Sequence, residues 1–447
     1  MLNKIENLNF FSFVKSREIS VLILLGLLFR VILFFLYLHT TQFPDSYSFR
    51  ILAEKMLEFS LNNYSGERSP GYPLILFLAF GQVKLVVIYQ FLMGIIASVY
   101  SYKTLINLKF SKKASLLIAL FLESFLHVFC YETSILSETI SLLFISMIFY
   151  EITKNGYFEN KSIKKELYFS FLLGFLVIVK PFFAFIPFLI YGFSILKNFS
   201  FRRIISSKLL LLLFPLISYF GWSYVNKINT GYFVSTTFFG LNIAQNCVYF
   251  AENSPPEYDW ISKPYVKHRE TAIAEKKDVA MAIWYAYEAG ELGNKMSFPD
   301  LSNELGKYGK ETIKNNQKAY WDQVITKSWL DFWNVYDMKQ YVEFRIPLVD
   351  KIISGIWILQ KIILIIFKFF FVLLIPFYAF TFFRNRKITY ELVIVTTVFF
   401  TSFLQAMVVF GTNSKYSFPF EYLMIIVVLL FVKNYFISSK RPNTSLQ

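Results

Sequence analysis

The sequence predicts an all-α polytopic membrane protein, and three observations carry this prediction. Hydrophobic residues make up 55% of the 447-residue chain and aromatic residues 20%, which exceeds the roughly 45–50% apolar content of soluble domains. The mean hydropathy is +0.47. Apolar runs recur at close to the roughly 20 residues that a helix needs to cross the hydrocarbon core, and the basic residues collect in alternate connections between these runs.

Ten of these apolar runs are predicted to span the membrane. They cover residues 19–38, 83–102, 114–131, 135–152, 167–180, 182–196, 209–225, 356–382, 390–410 and 417–432. The chain then divides into an N-terminal transmembrane core (1–225), an outer segment (226–350) and the C-terminal transmembrane helices (351–447). The outer segment is charged and rich in helix-forming residues, so we expect it to be a small helical domain rather than a sheet.

The positions of Lys and Arg predict how the chain is oriented. They cluster at 4–17, 103–113, 154–165, 197–208, 384–387 and 433–441. Loops rich in these residues stay in the cytoplasm, so both termini are predicted to be cytoplasmic. Contact of these loops with anionic lipid head groups accounts for the formal net charge of +15, and we expect no nucleic-acid partner. A bias towards Lys, Ile, Phe and Asn suggests a low-GC bacterial genome, and we expect the protein in a bacterial cytoplasmic membrane with its active site on the outer face.

The first outer loop, residues 39–82, has a distinctive pattern. After Asp45, the apolar residues Phe49, Leu52, Met56 and Phe59 follow at helical spacing, which predicts an amphipathic helix lying on the membrane surface. The stretch "NNYSGERSPGYP" contains residues that end helices. The following "YPLILFLAF" is too short to span a bilayer, so a second interfacial or re-entrant helix is predicted.

Ionisable residues near the predicted outer interface are the candidates for chemistry, because charge near the membrane core is costly and often functional. Together they could form a mixed pocket in which a cation holds a phosphate, a carboxylate accepts a proton from an attacking hydroxyl, and an apolar tail stays in the bilayer. The candidates are Asp45, Arg50, Glu54, Arg68, Glu132, Glu138, Lys180, Lys415 and Tyr416.

Each main candidate also has a structural alternative. Asp45 precedes a helical pattern and could be its N-cap, while Arg68 could anchor the loop at the interface through its long side chain. Glu138 could complement the dipole at a helix N-terminus. Lys415 and Tyr416 could be ordinary basic and aromatic interface residues.

Other polar residues receive weaker assignments. Arg30 and Glu123 fall at similar depths in two predicted spans and are expected to form a structural pair, which His127 could join. Carboxylates suit hard divalent cations, so a metal held by Asp45, Glu132 or Glu138 is left open, but no metal site is assigned. The cysteines, Cys130 and Cys247, could form a disulfide or remain free thiols.

Four stretches resemble membrane glycosyltransferases of the GT-C fold, the superfamily of protein O-mannosyltransferases and bacterial aminoarabinose transferases. In "PDSYSFRILAEKML…ERSPGYPLI", the residues matching the family's first outer loop are Asp45, Ala53, Arg68, Pro70, Tyr72 and Pro73. The stretch "LSETISLLF" is similar to the family's second acidic motif, which Glu132 and Glu138 would supply. The stretches "VKPFFAFIPFL" and "TNSKYSFPFEYLM" resemble its middle span and its last outer turn.

The resemblance implies a GT-C fold and an inverting transfer of a sugar from a polyprenyl-phosphate donor to a glycan, lipid or protein acceptor. It implies that Asp45 is the general base and that Arg68, Lys415 and Tyr416 bind the donor phosphate. Two positions depart from the family: Ser46 replaces a frequent Glu, and Lys415 replaces an Arg, which keeps the charge but loses the forked geometry.

Two other functions remain open at this point. A surface-polysaccharide polymerase or ligase also has many spans and a large outer loop, but it uses pyrophosphate-linked chains. A lipid-sugar flippase or transporter should have polar residues near the bilayer midplane. No phosphate-cradling Gly-rich loop is present, so a nucleotide-sugar donor is not expected.

Overall fold

The computed structural model describes residues 16–154, 157–159, 162–197, 207–293, 296–336 and 341–437. Within these ranges the chain is helical, and its only β-type pairing is an isolated bridge between Thr41 and Ser134. Among the described residues, the first ten α-helices are α1 Arg17–Tyr37, α2 Pro44–Leu57, α3 Pro73–Leu78, α4 Val83–Asn107, α5 Lys112–Glu123, α6 Leu126–Glu132, α7 Glu138–Thr153, α8 Ile163–Val179, α9 Phe185–Leu196 and α10 Leu213–Thr230.

The 226–350 segment contributes a run of shorter helices, and three long ones follow it. These are α11 Phe238–Gln245, α12 Asp259–Ala274, α13 Ala282–Glu288, α14 Phe298–Asn315, α15 Gln317–Gln323, α16 Leu330–Trp333, α17 Pro347–Asn385, α18 Tyr390–Val408 and α19 Ser414–Val432. Helices α11 to α15 share a hydrophobic core of their own, to which Ala406 of α18 also belongs. The prediction that this segment is helical is confirmed.

The structure has several membrane-spanning candidates, as a polytopic membrane protein requires. In the described residues six helices are long and apolar enough to cross a bilayer: Arg17–Tyr37, Val83–Asn107, Lys208–Thr230, Pro347–Asn385, Tyr390–Val408 and Ser414–Tyr435. Helices α5 and α6 would make a seventh span, bent by 59°. The other three predicted spans correspond to α7, α8 and the shorter apolar stretch Pro181–Leu196. The total of ten spans therefore stays a prediction.

The break between α8 and α9 positions a charged residue. Lys180 precedes Pro181 and has an extended backbone, with φ −140° and ψ 104°. The proline ring disfavours helical geometry in the residue before it, so α8 ends at Val179 and a short 3₁₀ turn leads into α9. Lys180 thus lies at the end of a helix rather than within one.

The first outer loop contains the predicted helix, but its surroundings differ from those expected. Helix α2 buries Phe49, Leu52 and Ala53, and Phe49 and Ala53 belong to a cluster with residues of α3, α4 and α7. These residues of the apolar face therefore pack on protein, and the position of α2 at the membrane surface stays a prediction. Phe59 lies beyond the end of α2 and is 88% exposed, so its helical spacing in the sequence was misleading. The six-residue α3 agrees with the predicted short second helix.

Candidate functional site

Asp45 is the second residue of α2, but it is not the cap of that helix. The N-cap position is Phe43, whose backbone N–H donates to Ser46 Oγ at 2.9 Å. The Ser46 hydroxyl in turn donates to the Ile135 carbonyl at 2.8 Å. The capping alternative for Asp45 is therefore wrong, because the N-cap is Phe43 and its N–H bonds to Ser46, which leaves the Asp45 carboxylate available for other partners.

The Asp45 carboxylate lies between two cations from distant parts of the chain. Arg68 Nη2 donates to Oδ1 at 2.6 Å, and Lys415 Nζ donates to Oδ2 at 2.8 Å. The Asp45 side chain remains 41% exposed. Two cations and one carboxylate give this three-residue cluster a charge of +1, so it can attract a further anionic group.

Arg68 is fixed from three directions, which argues against a loose interfacial anchor. Its Nε donates to Ser48 Oγ at 2.7 Å. Its guanidinium lies 4.5 Å from the ring centroid of Phe49 and 4.6 Å from that of Phe238, and both contacts are favourable cation–π geometries. The side chain is therefore held in one orientation, as recognition of a ligand requires.

The loop that carries Arg68 is also bonded to the 226–350 segment. Thr236 Oγ1 donates to the Glu67 carbonyl at 2.5 Å, and Thr237 Oγ1 donates to the Ser65 carbonyl at 2.9 Å. The Thr237 N–H donates to the Gly66 carbonyl at 2.9 Å. These three bonds fix the loop directly beside the helix that carries Phe238.

A second ion pair lies close to the first. Lys180 Nζ donates to Glu138 Oε1 at 2.8 Å and lies 4.9 Å from the ring centroid of Tyr416. Glu138, the first residue of α7, is almost completely buried. Because Tyr416 follows Lys415 directly in α19, the two ion pairs lie side by side.

Both ion pairs line one cavity of about 300 Å³, at the lower limit of the roughly 300–1,000 Å³ typical of small-molecule sites. Its walls come from the first outer loop, from the α6–α7 connection, from the α8–α9 break, and from α10, α11, α18 and α19. The polar lining residues are Asp45, Glu67, Arg68, Ser69, Ser137, Glu138, Lys180, Tyr219, Ser235, Thr236, Asn242, Gln405, Lys415 and Tyr416.

An apolar groove of about 200 Å³ begins next to this cavity. Pro70 and Gly71 line the groove, whereas Arg68 and Ser69 line the cavity. On the other side Ile178 lines the groove, two residues before Lys180. The Gly71 N–H donates to the Ile178 carbonyl at 3.0 Å, and a side chain at Gly71 would collide with the backbone of Val179. Glycine therefore permits this close contact between loop and helix.

The electrostatics of the site determine what Asp45 can do in the unliganded protein. The partial burial of the Asp45 carboxyl would by itself raise its pKa, but the charges of Lys415 and Arg68, with their hydrogen bonds, outweigh this effect and hold that pKa well below its usual range. Asp45 is therefore charged at neutral pH. While both cations are bound to it, it is a weak base.

Glu132 does not belong to this site, contrary to the prediction. Arg30 binds both of its oxygens, through Nη2 to Oε1 at 2.6 Å and through Nε to Oε2 at 2.8 Å. Arg30 Nη1 also donates to Glu123 Oε1 at 2.5 Å. The predicted Arg30–Glu123 pair is thus confirmed as a triad with Glu132. Gly94 of α4 makes room for it, because a side chain there would overlap Glu132.

His127 joins a different buried network from the one expected. Its Nε2 lies 2.6 Å from Glu421 Oε2, and Lys368 Nζ lies 2.7 Å from Glu421 Oε1. Sequence analysis missed Glu421 and Lys368, although both fall inside predicted apolar spans. Their charge in such positions was a signal that could have identified them.

Two further expectations concern metals and cysteines. Among the described residues no group of three or more His, Cys, Asp or Glu side chains could hold a metal ion. Asp45 and Glu138 pair with cations of the cavity, whereas Glu132 pairs with Arg30 elsewhere. Cys130 and Cys247 are both buried free thiols, so the disulfide alternative is wrong.

The chain was also compared with known proteins. No protein-family model, no curated protein and no solved structure matches it.

Proposed function

We propose that the protein is an inverting glycosyltransferase that moves a sugar from a polyprenyl-phosphate donor to a glycan, lipid or protein acceptor at the outer face of a bacterial cytoplasmic membrane. One observation carries the proposal: a carboxylate shared by two cations lines a polar cavity, and an apolar groove lies beside that cavity, on the other side of the contact between Gly71 and Val179. A lipid phosphate has the same division into an anionic head and an apolar tail.

The residues divide naturally between the parts of such a donor. Arg68 and Lys415 would bind the phosphate oxygens, since charge-assisted hydrogen bonds to phosphate are strong and a guanidinium can make two in parallel. Tyr416, the residue after Lys415, would lie beside the phosphate, with its ring held against Lys180. The first isoprene units would lie along the groove between Pro70 and Phe214.

Asp45 would act as the general base, and its ion pairs would regulate when it does so. A phosphate bound to Arg68 and Lys415 would compensate their charges and so reverse the effect that lowers the Asp45 pKa. The Asp45 carboxylate would then accept the proton of the acceptor hydroxyl while the oxygen of that hydroxyl bonds to the anomeric carbon. The bond from that carbon to the phosphate oxygen breaks, and polyprenyl phosphate leaves with the electron pair.

Reconstitution tests this proposal. The full-length protein, in liposomes with radiolabelled polyprenyl-phosphate sugars and a crude acceptor fraction, should release polyprenyl phosphate and label the acceptor. Asp45→Asn should lower the rate by about 100-fold or more, in line with the roughly 10²–10⁴-fold effect of general bases. Glu54→Gln, an exposed carboxylate on the same helix, is the matched control and should retain the wild-type rate. Equal rates for wild type and Asp45→Asn would rule out Asp45 as the base.

A lipid-sugar transporter is a second candidate, because charged residues also occur deep within the predicted spans. The Arg30–Glu123–Glu132 triad and the His127–Glu421–Lys368 network are both buried, and such groups are common along transport pathways. In the same liposomes a transporter would move the labelled lipid across the bilayer without releasing polyprenyl phosphate. Transfer only from pyrophosphate-linked chains would instead indicate a polymerase or ligase.

A further inference from the structure

Two residues that line the cavity each carry a buried polar atom without a hydrogen-bond partner within the described part of the chain. The atoms are Glu138 Oε2 and Gln405 Nε2. Both residues are only 1% exposed and both line the same cavity. Buried polar groups are nearly always paired in native proteins, so two unpaired ones on residues that line one cavity point to a ligand that supplies the missing partners.

The two atoms differ in what they can bind. Glu138 Oε2 accepts hydrogen bonds, and the position of Glu138 is fixed because Lys180 holds its other oxygen. Gln405 Nε2 donates hydrogen bonds. A hydroxyl group can both donate and accept, so the hydroxyl groups of a sugar in the cavity can satisfy both kinds of atom. The oxygens of a phosphodiester only accept, so they cannot satisfy Glu138 Oε2, which also accepts.

Glu138 and Gln405 line the same cavity as the Asp45 cluster but are not part of that cluster. Gln405 lies in the last turn of α18, where its own carbonyl accepts from Val409 N–H. Glu138 begins α7. The Asp45 carboxylate is hydrogen-bonded to Arg68 and Lys415 instead. The cavity therefore offers two cations for a phosphate and, in addition, two polar groups for hydroxyls.

We infer that Glu138 and Gln405 form a sugar-hydroxyl subsite, which favours the glycosylated carrier over bare polyprenyl phosphate and helps to select the sugar. This inference rests on the proposed function, since it concerns the donor of that reaction. Lys180 is a positioning residue that orients Glu138.

Substitution of Gln405 by leucine gives a result that a purely structural role would not. Leucine has a similar volume and no polar atom, so Gln405→Leu removes an unpaired buried amide and should leave the melting temperature of the unliganded protein unchanged or higher. The same change should weaken binding of the glycosylated carrier by about 2- to 10-fold, the equivalent of one neutral hydrogen bond. Binding of bare polyprenyl phosphate should not change.

Gln323→Leu is the matched control. Gln323 is also a buried glutamine, but its Nε2 donates to the Asn246 carbonyl at 2.9 Å and it does not line the cavity. This substitution should lower the melting temperature, because it breaks a satisfied hydrogen bond, and it should leave the preference between the two carriers unchanged. Glu138→Gln is a second test variant, and it should weaken binding of the glycosylated carrier more than Gln405→Leu does.

The experiment measures affinities of the full-length protein in lipid nanodiscs for polyprenyl phosphate and for its hexose- and aminopentose-linked forms. Wild-type preference for one glycosylated form over the bare carrier, reduced in both variants and reduced in Gln405→Leu at constant affinity for the bare carrier, would support the inference. Equal wild-type affinity for bare and glycosylated carriers, or an equal loss for both in the variants, would overturn the subsite but not phosphate binding. If wild type binds neither carrier, the proposed function and the subsite both fail.

Discussion

The Arg30–Glu123–Glu132 triad predicts an unequal effect of removing its members. Arg30 and Glu132 side chains are each 1% exposed and joined by two hydrogen bonds of 2.6 and 2.8 Å. Removing one partner of a buried ion pair costs about 3–5 kcal/mol, because a charge remains buried without compensation. Arg30→Met leaves two buried carboxylates, Glu123 and Glu132, without a counter-charge. We therefore expect the free energy of unfolding to fall by an amount at or above the upper end of that range.

Glu132→Gln should cost less, about 1–3 kcal/mol, because Arg30 keeps Glu123 as its counter-charge and the glutamine carbonyl can still accept one hydrogen bond. The formal charge of the triad changes from −1 to 0 in this variant, whereas Arg30→Met changes it to −2. The order of the two losses is therefore set by charge, not by the number of contacts removed.

Unfolding by sodium dodecyl sulfate in mixed micelles, followed by tryptophan fluorescence, measures both losses. Gly94→Ala is an independent test of the same packing, because the added methyl group would overlap Glu132, and it should also destabilise the protein. A smaller loss for Arg30→Met than for Glu132→Gln would refute this account of the triad.

Three further predictions concern other parts of the molecule. The pKa of Asp45 is depressed in the folded protein, so its ion pairs stabilise the fold at pH values above the unfolded-state pKa of roughly 4 and lose this effect as the pH falls further. Wild type should therefore have a higher melting temperature than Asp45→Asn at neutral pH, and the difference should shrink on acidification. A difference that does not change with pH would contradict the assignment. Ser46→Ala leaves the buried Phe43 N–H and Ile135 carbonyl without their Ser46 partner and should cost about 1–3 kcal/mol, as measured by the same micelle unfolding, with Ser60→Ala outside α2 as a control that should have little effect. Cys130 and Cys247 are buried free thiols, so a maleimide should label neither in the native protein and both after denaturation, and rapid native labelling would show that these regions open.

Local signals in the sequence predicted the helices well. Pro44 and Pro73 begin the two helices of the first outer loop, and Pro181 separates α8 from α9. These effects depend on the backbone of one or two residues, so they can be recognised without knowing the tertiary structure. The family resemblance predicted that Asp45, Arg68 and Lys415 belong to one site. The structure brings these three residues together, with both cations hydrogen-bonded to the Asp45 carboxylate.

The partners of the buried charges could not be predicted in the same way. Glu132 and Glu138 are six residues apart and were assigned to one site, yet Glu132 turns towards Arg30 and Glu138 towards Lys180. Which way each points depends on the 59° bend between α5 and α6 and on the space beside Gly94. Such features arise from helix packing over long sequence separations. Gln405 was missed because one amide in an apolar helix has no local pattern around it.

The bonds between residues 65–67 and Thr236–Thr237 also limit how this protein could be engineered or could diverge. Phe238 supplies one of the two rings that hold the Arg68 guanidinium, and the neighbouring threonines fasten the loop that carries Arg68. A chimera that replaces residues 226–350 with those of another protein would therefore also disturb the loop. To preserve the arginine, such an exchange must include residues 64–68 as part of the same module.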